Sequence, residues 1–92
     1  MIPIQDLLHR IRWDAEFGKA QFVIGYYDRV ARRIVRVPFR NIYLDSADHF
    51  AFSAADADGF VHDVPLHRVR EVWRDGSLIW HREHPGEAAS GQ

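Results

Sequence analysis

Arginine, aromatic and histidine side chains gather near the end of the chain, in the segment PLHRVREVWRDGSLIWHRE at residues 65–83. This segment holds four Arg, two Trp and two His around a single Asp75-Gly76 pair. A guanidinium is a planar fork that binds oxyanions through two parallel hydrogen bonds, and flat rings stack on nucleobases. These residue types therefore predict recognition of an anion, a base or both.

The histidines raise the alternative of an enzyme. The chain has six His, and acid–base cleavage of RNA can use two His beside a cation. The paired His-x-Ser/Thr motifs of two-histidine phosphoesterases are absent, because Ile, Ala, Val, Val, Glu and Gly stand two positions after the six His. We therefore predict no catalytic residue. A small metal-independent RNA phosphodiesterase or nuclease is the alternative interpretation.

Candidate metal ligands are scattered along the second half of the chain. Imidazole and carboxylate groups suit zinc, and the candidates are His62, Asp63, His67, His81 and His84. The run Asp56-Ala57-Asp58-Gly59 has part of a calcium-loop pattern, but it lacks the first ligand position and the final Glu. The chain has no Cys, which excludes a thiolate site. We expect turn and surface roles for these residues, and no metal or other cofactor.

Charge is distributed unevenly along the chain. The formal net charge is −1, which argues against a long basic stripe that tracks a nucleic-acid backbone. Residues 1–40 nevertheless hold eight Lys and Arg against four acidic residues, whereas residues 41–92 hold four against nine. Eleven of the twelve cations are Arg. This pattern favours a local contact with a small anion over a long polyanion.

Hydrophobic spacing predicts the elements that position these side chains. Pro3 and apolar residues at i, i+3, i+4 and i+7 predict a short amphipathic helix over about residues 3–12. Beyond Gly18 the period changes to two, which is typical of strands. The predicted strands span residues 21–27, 33–39, 41–44, 48–54, 60–64, 69–74 and 78–82.

These elements predict an α+β fold: one N-terminal helix packed on a twisted antiparallel sheet or small open barrel of five to seven strands. Asp75-Gly76 is the strongest turn signal, and a two-residue turn there pairs Trp73 with Leu78 and Val72 with Ile79. The length suits one domain, which we place at residues 1–83, with a flexible tail at 84–92.

Five short motifs, in order and spacing, resemble one known family. They are IRWD at 11–14, IGYYDRV at 24–30, RVPF at 36–39, VPLHRV at 64–69 and DGSLIWHR at 75–82. The chain resembles the RNA cyclic group end recognition domain over residues 1 to about 83. The resemblance implies that the chain holds RNA ends bearing a 2′,3′-cyclic phosphate, and it supplies no catalytic residue.

On the matching positions, the resemblance and the residue chemistry together select two groups. The groups predicted to bind RNA or phosphate are Arg10, Arg12, Arg29, His67, Arg68 and Arg82. The stacking or supporting residues are Trp13, Tyr27, Asp28 and Trp80. His67 and Arg68 can reach one anion only if Pro65 begins a turn, since neighbours on a strand point to opposite faces. For Trp80, the competing interpretation is a place in the core. For Asp28, it is a role as a turn acceptor.

The expected partner is the terminal part of an RNA. A separate RNA ligase, phosphoesterase or nucleotidyltransferase would then do the chemistry. A protein-interaction module of an RNA-processing complex is a further alternative, in which the acidic half docks an enzyme. The sequence shows no signal peptide and no apolar run long enough to span a bilayer, so we expect a cytoplasmic protein without membrane contact.

Overall fold

A computed structural model describes residues 2–44, 51–56 and 58–83 of the chain. The N-terminal helix, α1, spans Ile4–Trp13. Pro3, in an extended conformation, is its N-cap residue, and Asp14 is its C-cap residue. Its apolar stripe is buried as the spacing predicts, so tertiary packing stabilises a helix too short to be stable alone.

Within the described residues, seven strands follow the helix and form two antiparallel sheets. In chain order they are β1 (Phe22–Asp28), β2 (Arg33–Pro38), β3 (Ile42–Leu44), β4 (Ala51–Ala55), β5 (Val61–Pro65), β6 (Val69–Arg74) and β7 (Ser77–His81). The first sheet has the order β2-β1-β6-β7, and the second has the order β3-β4-β5. Proline ends β2 and β5, and each is an edge strand, where the missing N–H interrupts no ladder.

The core lies between α1, one face of the first sheet and the second sheet. Ile24 and Val72 are paired across the centre of the first sheet and are fully buried. The Tyr26 ring meets Phe52 of the second sheet edge to face, with 6.0 Å between ring centroids. Trp80 joins the same cluster, and its Nε1–H donates to the Ile2 carbonyl oxygen at 2.9 Å. Both sheets therefore share one hydrophobic core.

The predicted α+β class is confirmed, and α1 and the seven described strands lie within a few residues of their predicted bounds. The seven strands divide between two sheets and form no closed barrel. Residues 48–50 of the fourth predicted strand, and the predicted tail at 84–92, lie outside the described residues. In the part of the chain that the structure describes, no helix is long and apolar enough to cross a membrane.

The register of the last hairpin is partly corrected. Trp73 pairs with Leu78 as expected, but Val72 pairs with Trp80 because a bulge at Ile79 interrupts the ladder. The bulge brings Trp80 onto the same face as Val72, toward the core. Trp73 consequently lies on the opposite face.

Candidate nucleic-acid interface

A cleft of about 210 Å³ opens where the end of β1 approaches β5. Its polar and aromatic walls include residues from three separate parts of the chain. They include Tyr26, Tyr27, Arg29, His62, Asp63 and Arg68. Four of the residues predicted from the sequence line this cleft: Tyr27, Asp28, Arg29 and Arg68.

Local hydrogen bonds position Arg29 at the rim. The Asp28 carboxylate accepts hydrogen bonds from the backbone N–H groups of Val30 and Ala31, at 2.8 and 3.0 Å. The Arg32 backbone N–H donates to the Asp28 carbonyl oxygen at 2.7 Å and closes the turn. Asp28 therefore acts as a turn acceptor, and the turn holds the exposed Arg29 beside the cleft.

The backbone bonds also fix the charge of Asp28. They hold the pKa of its carboxyl below the ordinary value, with the Ala31 N–H as the largest cause and a partly opposing contribution from burial. The carboxylate is consequently ionised at neutral pH.

A 3-10 turn at Leu66–Arg68 positions the second cation. Pro65 precedes the turn in an extended conformation, and buried Leu66 anchors it in the core. Arg68, half-buried, lines the cleft, whereas His67 is exposed and is not among the lining residues. The turn expected after Pro65 is therefore present. His67 and Arg68 nevertheless do not line the same cleft.

Arg29 and Arg68 are the two arginines among the described residues that line the cleft. Within residues 2–44, 51–56 and 58–83, neither side chain has a salt bridge or hydrogen-bond partner. The acidic neighbours are engaged elsewhere: Asp28 in its turn, and Asp63 as the acceptor of the Ser53 hydroxyl at 2.9 Å. Both guanidiniums therefore lack an intramolecular partner in the part of the chain that the structure describes.

Tyr26 and His62, which sequence reasoning did not assign to this site, complete the polar wall. Burial raises the pKa of the Tyr26 hydroxyl, and the charges of Asp28 and Asp56 raise it further, so the phenol keeps its proton and can donate. His62 Nε2 lies 2.8 Å from an Asp56 carboxylate oxygen, and this hydrogen bond lowers the pKa of Asp56. Their positions depend on two sheets meeting, which no local pattern in the sequence signals.

The predicted residues on α1 lie apart from the cleft. The Arg10 guanidinium stacks 4.1 Å from the centroid of the Phe17 ring and lies 3.8 Å from the Asp14 carboxylate. Arg12 sits over the exposed ring of Trp13, at 5.9 Å. None of these side chains lines the cleft.

Arg82 and Trp80, also predicted from the sequence, make hydrogen bonds within the fold and do not line the cleft. Arg82 Nη2 donates to the carbonyl oxygens of Leu66 and Val69, at 3.1 and 3.0 Å. These hydrogen bonds connect Arg82, which follows β7, to the turn that carries Arg68. Trp80 is only 5 % exposed, so its ring has no free face for a base.

A larger cavity of about 360 Å³ lies at the other end of β1, beside Pro38, Phe39 and Arg40. It contains none of the ten residues predicted from the sequence. The smaller cleft is therefore the candidate site, because it is lined by two arginines without a partner among the described residues, together with Tyr26 and the half-buried Tyr27.

Metal ligands do not gather among the described residues: no group of three or more His, Asp or Glu side chains has metal-binding geometry. Asp56 instead accepts backbone hydrogen bonds from Asp58 and Phe60. The partial calcium-loop pattern is thus a turn.

The structure is thus a small α+β domain with a cleft in which Arg29 and Arg68 lie beside Tyr26 and Tyr27. The chain belongs to the MJ1316 RNA cyclic group end recognition domain family, whose match covers residues 1–82. Comparison with solved structures gives no match.

Proposed function

We propose that the chain binds the 3′ end of an RNA carrying a 2′,3′-cyclic phosphate, with the phosphate in the cleft between Arg29 and Arg68. Membership of the family supports the ligand class. The observation that carries the site is that these two guanidiniums line one cleft and have no partner within the described residues.

The cleft matches the chemistry of such an end. A cyclic phosphodiester carries one negative charge and two outward oxygens, and a forked guanidinium binds two oxygens at once. Each charged hydrogen bond contributes about 1.5–3 kcal/mol. The protonated Tyr26 hydroxyl supplies a further donor, and the half-buried Tyr27 ring supplies a surface for the terminal ribose or base. A wide basic surface is unnecessary for this contact.

The proposed role is binding without catalysis, beside a separate RNA ligase, phosphoesterase or nucleotidyltransferase in the cytoplasm. Acid–base cleavage needs a proton acceptor and a proton donor beside the reacting phosphate. His62 is the only imidazole among the described lining residues, and its Nε2 is bound to Asp56.

The test compares three ends of one oligonucleotide: 2′,3′-cyclic phosphate, linear 3′-phosphate and 3′-hydroxyl. We expect preferential retention of the cyclic end. Arg68→Ala should weaken that binding about tenfold or more, which corresponds to one charged hydrogen bond. Arg40→Ala, which removes the same charge at the larger cavity, should leave it unchanged. Equal affinity for all three ends would overturn the proposal.

The same incubation separates binding from catalysis. Recovery of the cyclic end unchanged after prolonged incubation is the expected result. Conversion to a linear phosphate, lost in His62→Ala, would instead establish a phosphodiesterase.

A further inference from the structure

The outer face of the first sheet, opposite the core, continues directly from the cleft. Its residues either alternate along β1 with the core residues Ile24 and Tyr26, or pair from β2 and β6 with the alternating residues of β1. We define the outer face by Val23, Gly25, Tyr27, Arg36, Glu71 and Trp73. Tyr27 belongs both to this face and to the wall of the cleft. A ligand anchored in the cleft thus reaches the outer face across one side chain.

A fixed guanidinium lies in the middle of this face. Arg36 and Glu71 both pair with Gly25, one from each side, and Arg36 Nε lies 2.5 Å from Glu71 Oε1. The Glu71 side chain is 11 % exposed and that of Arg36 is 57 % exposed. Within the described residues, the terminal nitrogens of Arg36 make no hydrogen bond, so they are oriented and remain available as donors.

The indole of Trp73 lies next to Arg36 on the outer face. The Arg36 guanidinium carbon lies 5.7 Å from the centroid of the half-buried Trp73 ring. The Trp73 Nε1–H is buried and has no hydrogen-bond partner among residues 2–44, 51–56 and 58–83. Tyr27, Arg36 and Trp73 therefore form a row of ring, cation and ring that leads away from the cleft.

We infer that this outer face binds the one or two nucleotides that precede the cyclic end in the same RNA strand. This inference rests on the proposed function, since it places the terminal phosphate in the cleft. Tyr27 lies four residue steps along β1 from Val23, the partner of Trp73, and these steps span about 13 Å of strand. That distance exceeds one stacked-base step of about 3.4 Å, so the RNA lies extended with its bases splayed on the sheet, as single strands do on aromatic platforms.

The chemistry of the outer face indicates which ligand it binds. Rings stack on any base, and a half-exposed guanidinium serves a phosphate or a base edge. Single-stranded RNA supplies both groups at each nucleotide, in continuity with the cleft. A duplex end would instead leave its bases paired and unable to lie flat on the rings.

The test measures the affinity of RNAs of one to four nucleotides, all ending in 2′,3′-cyclic phosphate. Affinity should rise about tenfold, or about 1.4 kcal/mol, for each of the second and third nucleotides and then level off. Trp73→Leu should flatten this rise while leaving the affinity for the cyclic mononucleotide unchanged. Tyr43→Leu is the matched control, because Tyr43 is an exposed aromatic on the second sheet and the rise should persist.

A measurement on the unaltered chain covers the case in which the Trp73 variant does not fold. The trinucleotide, but not the mononucleotide, should shift the indole Nε1–H resonance of Trp73, while that of Trp80 stays fixed by its bond to Ile2. Equal affinity for one and four nucleotides, or an unmoved Trp73 resonance, would overturn the inference. Equal affinity for cyclic and hydroxyl ends at every length would instead overturn the proposed function. The inference about the outer face is judged separately, from how the affinity depends on RNA length and on Trp73.

Discussion

The side chain of Glu71 lies directly on Gly25, in the space that a β-carbon at residue 25 would occupy. A Cβ built on Gly25 meets Glu71 Cγ and Oε1 at less than normal van der Waals separation. The glycine therefore provides the room in which the Glu71 carboxylate is buried and meets Arg36.

Gly25→Ala should destabilise the fold by about 1–3 kcal/mol, because the new methyl group overpacks the carboxylate and displaces it from Arg36. Urea denaturation measures the change in the free energy of unfolding. Glu71→Ala removes the obstacle, so Gly25→Ala should cost less in that background. A double variant whose loss equals the sum of the single losses would show that the two residues are not coupled.

Arg32→Gly should stabilise the protein. Arg32 has a φ of 57°, in the left-handed region, which is strained for side chains other than glycine. Glycine relieves that strain, and its greater freedom in the unfolded chain offsets part of the gain, leaving about 0.5–1 kcal/mol. Thermal unfolding measures the effect. Arg33→Gly, in β2, should lower stability instead, and a gain from both variants would contradict the explanation.

Acid should destabilise the fold through Asp28. Its carboxyl pKa is depressed in the folded state, chiefly by the N–H of Ala31, so the ionised form adds stability above the ordinary pKa. That stability is lost as the pH falls through the folded value, in the range below about pH 4. Asp28→Asn keeps an acceptor oxygen but does not titrate.

The melting temperature of Asp28→Asn should consequently fall less between about pH 5 and about pH 2 than that of the unaltered chain. Asp58→Asn, at an exposed position of another turn, is the control and should follow the unaltered curve. Parallel curves for the Asp28 variant and the unaltered chain would rule out this contribution.

Trp80→Phe should cost about 1–2 kcal/mol, because it removes the hydrogen bond to the Ile2 carbonyl oxygen and leaves space in the core. Trp13→Phe makes the same chemical change at a ring that is 72 % exposed, where we expect less than about 0.5 kcal/mol. Equal losses in the two unfolding curves would exclude the hydrogen bond as the cause.

Local patterns were sufficient to predict the elements. The spacing of Ile4, Leu7, Leu8 and Ile11 predicts both α1 and its buried face, since helical periodicity is a local property. Asp75-Gly76 likewise adopts the positive φ values that a tight turn needs, 49° and 84°. The bulge at Ile79 was not predictable from the turn alone, and it decides which Trp of the hairpin is buried.

The composition of the site depended on contacts between distant segments. Arg29 and Arg68 meet only because the end of β1 and the turn after β5 line one cleft. The Arg36–Glu71 pair spans 35 positions of the chain and gives no local signal. Arg82, a plausible anion ligand by residue type, instead serves two backbone carbonyl groups.

The hydrogen bond from Trp80, in β7, to Ile2, just before α1, holds the first and last described elements next to each other. Circular permutation and insertion succeed where the two ends of a domain are neighbours. A linker of a few residues could therefore join these ends, and new termini could be opened at the exposed tip around Val30. The fold therefore keeps the beginning of α1 and the end of β7 side by side, which is the arrangement that tolerates permutation and insertion.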